Sequence, residues 1–297
     1  SQDSFDRAIR ITGVNITTHF PVLLPSREPG EPAASQPDIG SRWFRWMAPT
    51  TGNFGMSMPS GNGSASLRVY RGETVSSLTL LAESAFTTNS HTQLNFPAEA
   101  GVDYSISIET PSRSDRAFSG IHVLHLAAAA TNDAFEARQE LPVTSLGLLY
   151  GVQGTTFGAR TELGEPPSSH GPDASTVWYR WIAPSNGWFH VSLGKGPASS
   201  TNALAVFRGN TLSELAPVPA LRHRDSPTLE DYRFVATEGE AYAIRVTTPM
   251  ESMRGFTIAL APSPTNDDFD HRRQLVGPDA TDRGSLEGAS AEDLDPA

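Results

Sequence analysis

At 297 residues, 38% hydrophobic and 19% charged, the chain is long enough for two domains that each bury a core. It contains 25 Gly and 23 Pro but no Cys, a composition that points to a turn-rich β protein and excludes disulfide frameworks, thiolate metal sites and cysteine nucleophiles. A net charge of −11 argues against a nucleic-acid partner, whose phosphates require a basic stripe, and no run approaches the ~20 apolar residues of a membrane-spanning helix.

The chain opens at Ser1 without Met and without a charged-then-apolar leader, as a processed or excised chain does. A brief helical turn is predicted over 4–9. Runs rich in aromatic and β-branched residues follow at 43–46, 53–58 and 66–70, then a turn over 75–78 and further runs at 104–108 and 121–126. Pro, Gly, Ser and Asn separate these runs, which therefore read as strands joined by turns. From residue 134 the order returns, with a turn over 134–141, a strand over 188–193, a turn over 212–215 and a strand over 241–246.

The return is a duplication. Gln2, Asp3 and Phe5 correspond to Asn132, Asp133 and Phe135, and again to Asn266, Asp267 and Phe269. Glu28, Glu31 and Pro32 come back as Glu162, Glu165 and Pro166. Trp43, Arg45, Trp46, Ala48, Pro49 and Gly52 come back as Trp178, Arg180, Trp181, Ala183, Pro184 and Gly187. Val69, Tyr70 and Gly72 match Val206, Phe207 and Gly209, and Phe96, Gly101 and Tyr104 match Phe234, Gly239 and Tyr242. The expected organisation is therefore two β-sandwich, jelly-roll-like repeats at 1–130 and 131–264, followed by a partial third repeat or acidic tail at 265–297.

The third copy stops at Glu292, Asp293 and Asp295, with no tryptophan strand after it. Its nine acidic and three basic residues make a segment too polar to fold alone. It is expected either to fold back on the second unit or to complete a sheet in a neighbouring molecule by strand addition. Asn266, Asp267, Phe269, Leu286 and Leu294 are the residues assigned to self-association.

Taken in order, the Asn-Asp-x-Phe, Glu-x-Gly-Glu-Pro, Trp-x-x-Trp-x-Ala-Pro-x-x-Gly and Val-aromatic-x-Gly elements resemble the bacterial pre-peptidase C-terminal domain group, across both full units and the partial third. The resemblance implies a jelly-roll sandwich, an extracytoplasmic location and no catalytic activity. Some members of that group bind calcium near the start of the domain, and some bind insoluble polymers such as collagen. Carried over residue by residue, the calcium candidates are Asn132, Asp133, Glu162 and Glu165, with Asp173 as a further oxygen, and Asp3, Glu28 and Glu31, where Gln2 departs from the pattern. Calcium needs six to eight oxygens, and the alternative is that Asn-Asp caps a helical turn while the Glu pairs lie in a solvated loop.

Side chains alternate across a strand, so Phe44 and Trp46 share one face and Trp43 and Arg45 the other; Tyr179 and Trp181 likewise oppose Trp178 and Arg180. The face leading into the Ala-Pro pair is expected in the core. The other face is either packed or an aromatic platform for a polymer ligand, with Trp43, Trp178 and Trp188 as its residues. Trp188 stands where the first unit has Asn53 and is the expected surface tryptophan.

No enzyme is expected. The eight histidines are scattered, and His122 and His125 fall on opposite faces of one strand. Neither His-Glu-x-x-His nor Gly-x-Ser-x-Gly occurs. The carboxylate pairs Glu28/Glu31 and Glu162/Glu165 are of the kind glycoside hydrolases use, but a duplicated Pro-rich loop suits a structural or metal role better. The sequence thus reads as a secreted or cell-surface, non-catalytic structural or adhesive protein that assembles head-to-tail into a filament. The alternative is a polymer-binding accessory module of a secreted hydrolase.

Overall fold

The computed structural model describes residues 3–21, 25–59, 64–88, 91–111, 121–143, 151–171, 174–195, 202–226, 228–249, 255–264, 266, 269–282 and 289, with Arg222 and Arg224 described by backbone alone. The chain divides into Ser1–Ala129 and Ala130–Ala297, one residue earlier than the repeat boundary predicts, with the segment after Pro264 grouped with unit 2. The division is sharp in hydrogen bonding. Ala129 N–H donates to Asn53 O in unit 1, and Ala130 N–H donates to Phe157 O in unit 2.

Unit 1 holds strands β1 (Ile9–Ile11), β2 (Asn15–Pro21), β3 (Ile39–Met47), β4 (Gly52–Met58), β5 (Ser66–Arg71), β6 (Thr79–Glu83), β7 (Thr92–Ala98), β8 (Asp103–Pro111) and β9 (Ile121–Ala128). They form a five-stranded sheet in the order β1-β3-β8-β5-β6 and a four-stranded sheet in the order β2-β9-β4-β7. Unit 2 holds β10 (Gln139–Glu140), β11 (Val152–Thr155), β12 (Ser175–Ile182), β13 (Gly187–Lys195), β14 (Ala203–Arg208), β15 (Ala216–Pro217), β16 (Arg222–Asp225), β17 (Leu229–Ala236), β18 (Ala241–Thr248) and β19 (Gly255–Pro262). Its sheets run β10-β12-β18-β14-β15 and β11-β19-β13-β17-β16. Strand for strand this is the topology of unit 1, with β16 added at one edge. The protein is all-β, built of tandem β-sandwiches.

Alternation along the strands makes the cores. Phe44, Trp46, Phe54, Met56, Leu67, Val69, Ile106 and Leu126 fill unit 1, and Tyr179, Trp181, Phe189, Val191, Val206, Ile244 and Leu260 fill unit 2. Trp46 lies 4.7 Å from Phe54 and Trp181 lies 4.7 Å from Phe189, so the repeated second tryptophan occupies the same place in each core. The repeated tyrosine ties a turn, since Tyr104 Oη accepts Glu99 N–H and Tyr242 Oη accepts Thr237 N–H, each at 2.9 Å. The glycine that closes the Val-aromatic-Arg-Gly motif has a backbone reason. Gly72 and Gly209 sit at φ +136° and +127°, and a Cβ there would stand 2.7 Å from Ser77 O or Glu214 O.

The predicted helical turns appear as 3-10 turns at Phe5–Arg7, Val75–Ser77, Phe135–Ala137 and Leu212–Glu214. After the first and third of these the chain adds a short edge strand. β1 pairs with β3 and β10 with β12, both parallel, while the other pairings of named strands are antiparallel.

Candidate functional site

The repeated polar residues converge at this parallel edge. In unit 2, Asn132 binds the Trp178 backbone in both directions: its carbonyl accepts Trp178 N–H at 2.9 Å and its side-chain amide donates to Trp178 O at 2.8 Å. Asp133 Oδ1 accepts Arg160 N–H at 2.8 Å, and Glu162 Oε2 accepts Phe135 N–H at 3.0 Å. Glu165 Oε1 accepts Glu162 N–H, the Thr176 hydroxyl and Trp178 Nε1–H at 2.9, 2.8 and 3.2 Å. Three separate stretches of chain are thereby bonded into one unit: the segment around Phe135, the 160–165 loop and strand β12.

Unit 1 repeats the arrangement. Glu28 Oε1 accepts Phe5 N–H at 2.6 Å, Glu31 Oε1 accepts Glu28 N–H at 3.0 Å, and the Ser41 hydroxyl donates to both Glu31 oxygens. Asp3 Oδ2 accepts the N–H and hydroxyl of Ser26. Trp43 Nε1, by contrast, has no hydrogen-bond partner.

The aromatic ring of each segment then closes over the strand. Phe5 meets Trp43 edge-on at 5.2 Å and Phe135 meets Trp178 edge-on at 5.1 Å, and Tyr70 and Phe207 pack on the same indoles at 5.7 and 5.8 Å. Edge-to-face pairs of this kind add to simple area burial. We call the segment a latch. A guanidinium completes each site from a different strand. Arg68 on β5 donates to Ala33 O at 2.6 Å, and Arg245 on β18 donates to Pro166 O at 2.5 Å. The register pairs Arg68 with Ser107 and Ala205 with Arg245, so the two arginines occupy one place from adjacent strands.

Titration follows the burial. Desolvation raises the Asp133 pKa, opposed by the Arg160 N–H, whereas the Ser26 hydroxyl holds the more exposed Asp3 carboxyl below its ordinary value. Burial lowers the Arg245 pKa against the pull of Glu165, whose second oxygen lies 3.7 Å from the guanidinium. Burial opposes the Arg68 charge too, but Tyr70, Glu109 and Glu83 outweigh it and the Arg68 pKa is raised.

These contacts correct one expectation. Trp43 and Trp178 are 1% and 0% exposed; their faces are covered by the latch rings and cannot stack on a polymer. Of the calcium candidates, Asp3, Glu28, Glu31, Asp133, Glu162 and Glu165 each accept N–H or O–H donors of their own unit, and the Asn132 side-chain amide donates to Trp178 O. Among the described residues no group of three or more His, Asp or Glu side chains is placed to hold a metal ion. Asp173 lies outside the described residues.

Trp188 is half-buried. The Arg233 guanidinium lies over its ring at 4.3 Å, and His271 packs perpendicular to it at 4.7 Å, which brings the segment after Pro264 back onto unit 2. Asn266 and Phe269 are exposed, while Asp267, Leu286 and Leu294 lie outside the described residues.

Sequence reasoning missed three buried ionic groups. Glu109 holds Arg68 and Arg27 at 3.3 and 3.2 Å. In unit 2, Glu230 accepts Leu204 N–H at 3.0 Å and contacts His223 and Lys195 at 2.8 and 3.6 Å. The third is the arginine pair itself. None of these residues recurs at a matching repeat position, so the duplication gave no signal for them.

No family model matches the chain, and no curated protein matches it. Similar solved structures include the CUB1-EGF-CUB2 domains of rat MASP-1, at 9% identity and TM-score 0.24 over 85% of this chain and 99% of that one. The CBM32-1 and CBM32-2 domains of Clostridium perfringens ZmpB match at 7% identity and TM-score 0.23, over 88% and 90% of the two chains. Likenesses this distant bear on neither family nor function. What the strands and the latch define is a tandem β-sandwich protein.

Proposed function

We propose that this chain is a non-catalytic structural protein of the extracellular space, built of tandem β-sandwich units. The observation that carries the reading is the destination of the repeated polar residues. Each described carboxylate in the duplicated motif is bonded to the backbone or a hydroxyl of its own unit, and each repeated tryptophan is buried. Side chains duplicated for catalysis or ligand binding would face a cleft; these face inward, where they lock the sandwich. The extracellular location rests on the resemblance of the motif to the pre-peptidase C-terminal domain group.

The rival, a polymer-binding module, keeps a single aromatic candidate in Trp188. Incubation of the 1–297 protein with insoluble cellulose, chitin and collagen decides between the two. The protein is expected to stay in the supernatant with all three. Retention on any of them, abolished by Trp188→Ala with no change in melting temperature, would replace the structural reading with the rival one.

A further inference from the structure

The duplication breaks at one place inside unit 1. On β3 the core face carries Phe44 and Trp46, and alternation along the strand puts Arg42 on that same face. The matching residue of unit 2 is Val177, which lies in the core. On the facing sheet the register equates the pair Phe54 and Ala128 with the pair Phe189 and Pro262, so His122 matches Phe256. Their cross-strand neighbours are Phe20 and Gly154. A guanidinium, an imidazole and a phenyl ring therefore stand where unit 2 has Val, Phe and Gly. The sandwich needs neither polar group there, since unit 2 forms without them.

The three side chains form one cluster. The Arg42 guanidinium lies over the Phe20 ring at 5.1 Å and donates through Nη1 to Pro21 O at 2.6 Å. The His122 ring stands perpendicular to Phe20 at 5.3 Å. Arg42 and His122 are only 4% and 6% exposed. The buried cations Arg68, Lys195 and Arg245 have carboxylates at 3.3, 3.6 and 3.7 Å, but among the described residues no carboxylate forms an ion pair with Arg42. Burial lowers its pKa, and Asp3 offsets that only in part. A buried charge without a counter-charge is costly, and the planar edge of a guanidinium matches two oxygens of a carboxylate or oxyanion. The cluster lies at one end of the sandwich, where its neighbours Pro21 and Ile121 pair in register and are both exposed. We propose that Arg42 and His122 form an anion-binding site in unit 1, which takes a small carboxylate or inorganic oxyanion entering beside Pro21 and Ile121. The site goes beyond the structural reading above and does not depend on it.

Titration of the full chain with sodium phosphate, sodium sulfate and sodium acetate at constant ionic strength tests the site. The readout is the NMR signal of the His122 ring protons, assigned from a His122→Phe variant. A saturable shift is expected with at least one of the three. Tighter binding of phosphate or sulfate identifies an inorganic oxyanion as the ligand, and tighter binding of acetate a carboxylate. Arg42→Lys keeps the charge but loses the planar fork, and should weaken binding roughly ten-fold. Arg42→Val, which installs the unit 2 residue, should abolish the shift. That variant should also melt at least as high as wild type in buffer free of these anions, because an apolar side chain replaces a buried charge. A purely structural Arg42 would instead leave the wild-type His122 signals unmoved by all three anions, and its loss would lower the melting temperature. That result, or a shift that persists undiminished in Arg42→Val, would overturn the proposal. Retention on insoluble polymers is read separately, so failure of the anion site leaves the structural reading standing.

Discussion

Asn132 is the residue on which the latch of unit 2 turns. Its side-chain amide satisfies Trp178 O, a carbonyl at the sheet edge that would otherwise be buried without that donor. Leaving a buried polar group unsatisfied costs about 1–3 kcal/mol, so Asn132→Ala should lower the melting temperature of unit 2, while Asn266→Ala, at an exposed position, should leave it unchanged. Calorimetry on the two variants checks this directly. The two repeated aspartates should respond oppositely to acid. Burial raises the Asp133 pKa, so the folded unit takes up that proton before the unfolded chain does, and stability attributable to Asp133 rises as pH falls. Asp3 is held below its ordinary value of 3.8 by Ser26, so its contribution is present above 3.8 and is lost as pH falls through the lowered value. Wild type should therefore gain on Asp133→Asn as pH drops from 7 toward 4, and lose its advantage over Asp3→Asn on going lower. Melting temperatures for both pairs that shift in the same direction would sink this assignment.

At the level of elements, the strand positions and turns were legible because alternation and turn residues are local signals. The predicted runs at 43–46, 53–58, 66–70, 104–108 and 121–126 all fall within observed strands. Which face of β3 and β12 is covered was not legible, since it depends on a segment far upstream returning as a parallel edge strand. Spacing alone therefore left the face of Trp43 open to either a packed or a platform reading. The partners of the carboxylates were not legible for a related reason: the N–H groups of Phe135 and Arg160 reach Glu162 and Asp133 from separate stretches of chain. Arg68 and Arg245 show another limit. They do one job from neighbouring strands, and matching the repeats by sequence aligns each with an unrelated residue. The repeated glycine, by contrast, has a local cause that experiment can isolate. Gly72→Ala or Gly209→Ala would place a Cβ 2.7 Å from a backbone oxygen at a φ that L-residues rarely adopt. Each should destabilise its unit by roughly 1–3 kcal/mol, whereas Gly52→Ala, where a Cβ meets nothing within 4 Å, should cost well under that. Urea titration of the three variants measures the difference.

For the whole molecule, the question is whether the duplication produced two folding units or one. Each unit contains its own central core, its own latch cluster and both of its sheets. Among the described residues each sheet is built of strands from a single unit, and the backbone bonds of Ala129 and Ala130 part at the boundary. A sandwich of ~130 residues buries enough apolar surface to fold alone. The fragments 1–129 and 130–297 are therefore expected to fold when expressed separately, and their tryptophans report on each. Trp43 and Trp46 in the first fragment, and Trp178 and Trp181 in the second, are buried and should emit at short wavelength until each fragment unfolds cooperatively. Trp188 is half-exposed and stacked under Arg233, so it should add a longer-wavelength component to the second fragment alone, removed by Trp188→Phe. Fragments that emit like denatured chains would mean that the duplicated sandwiches fold only as a pair. The latch would then be holding together a larger assembly than the single unit in which its bonds are drawn.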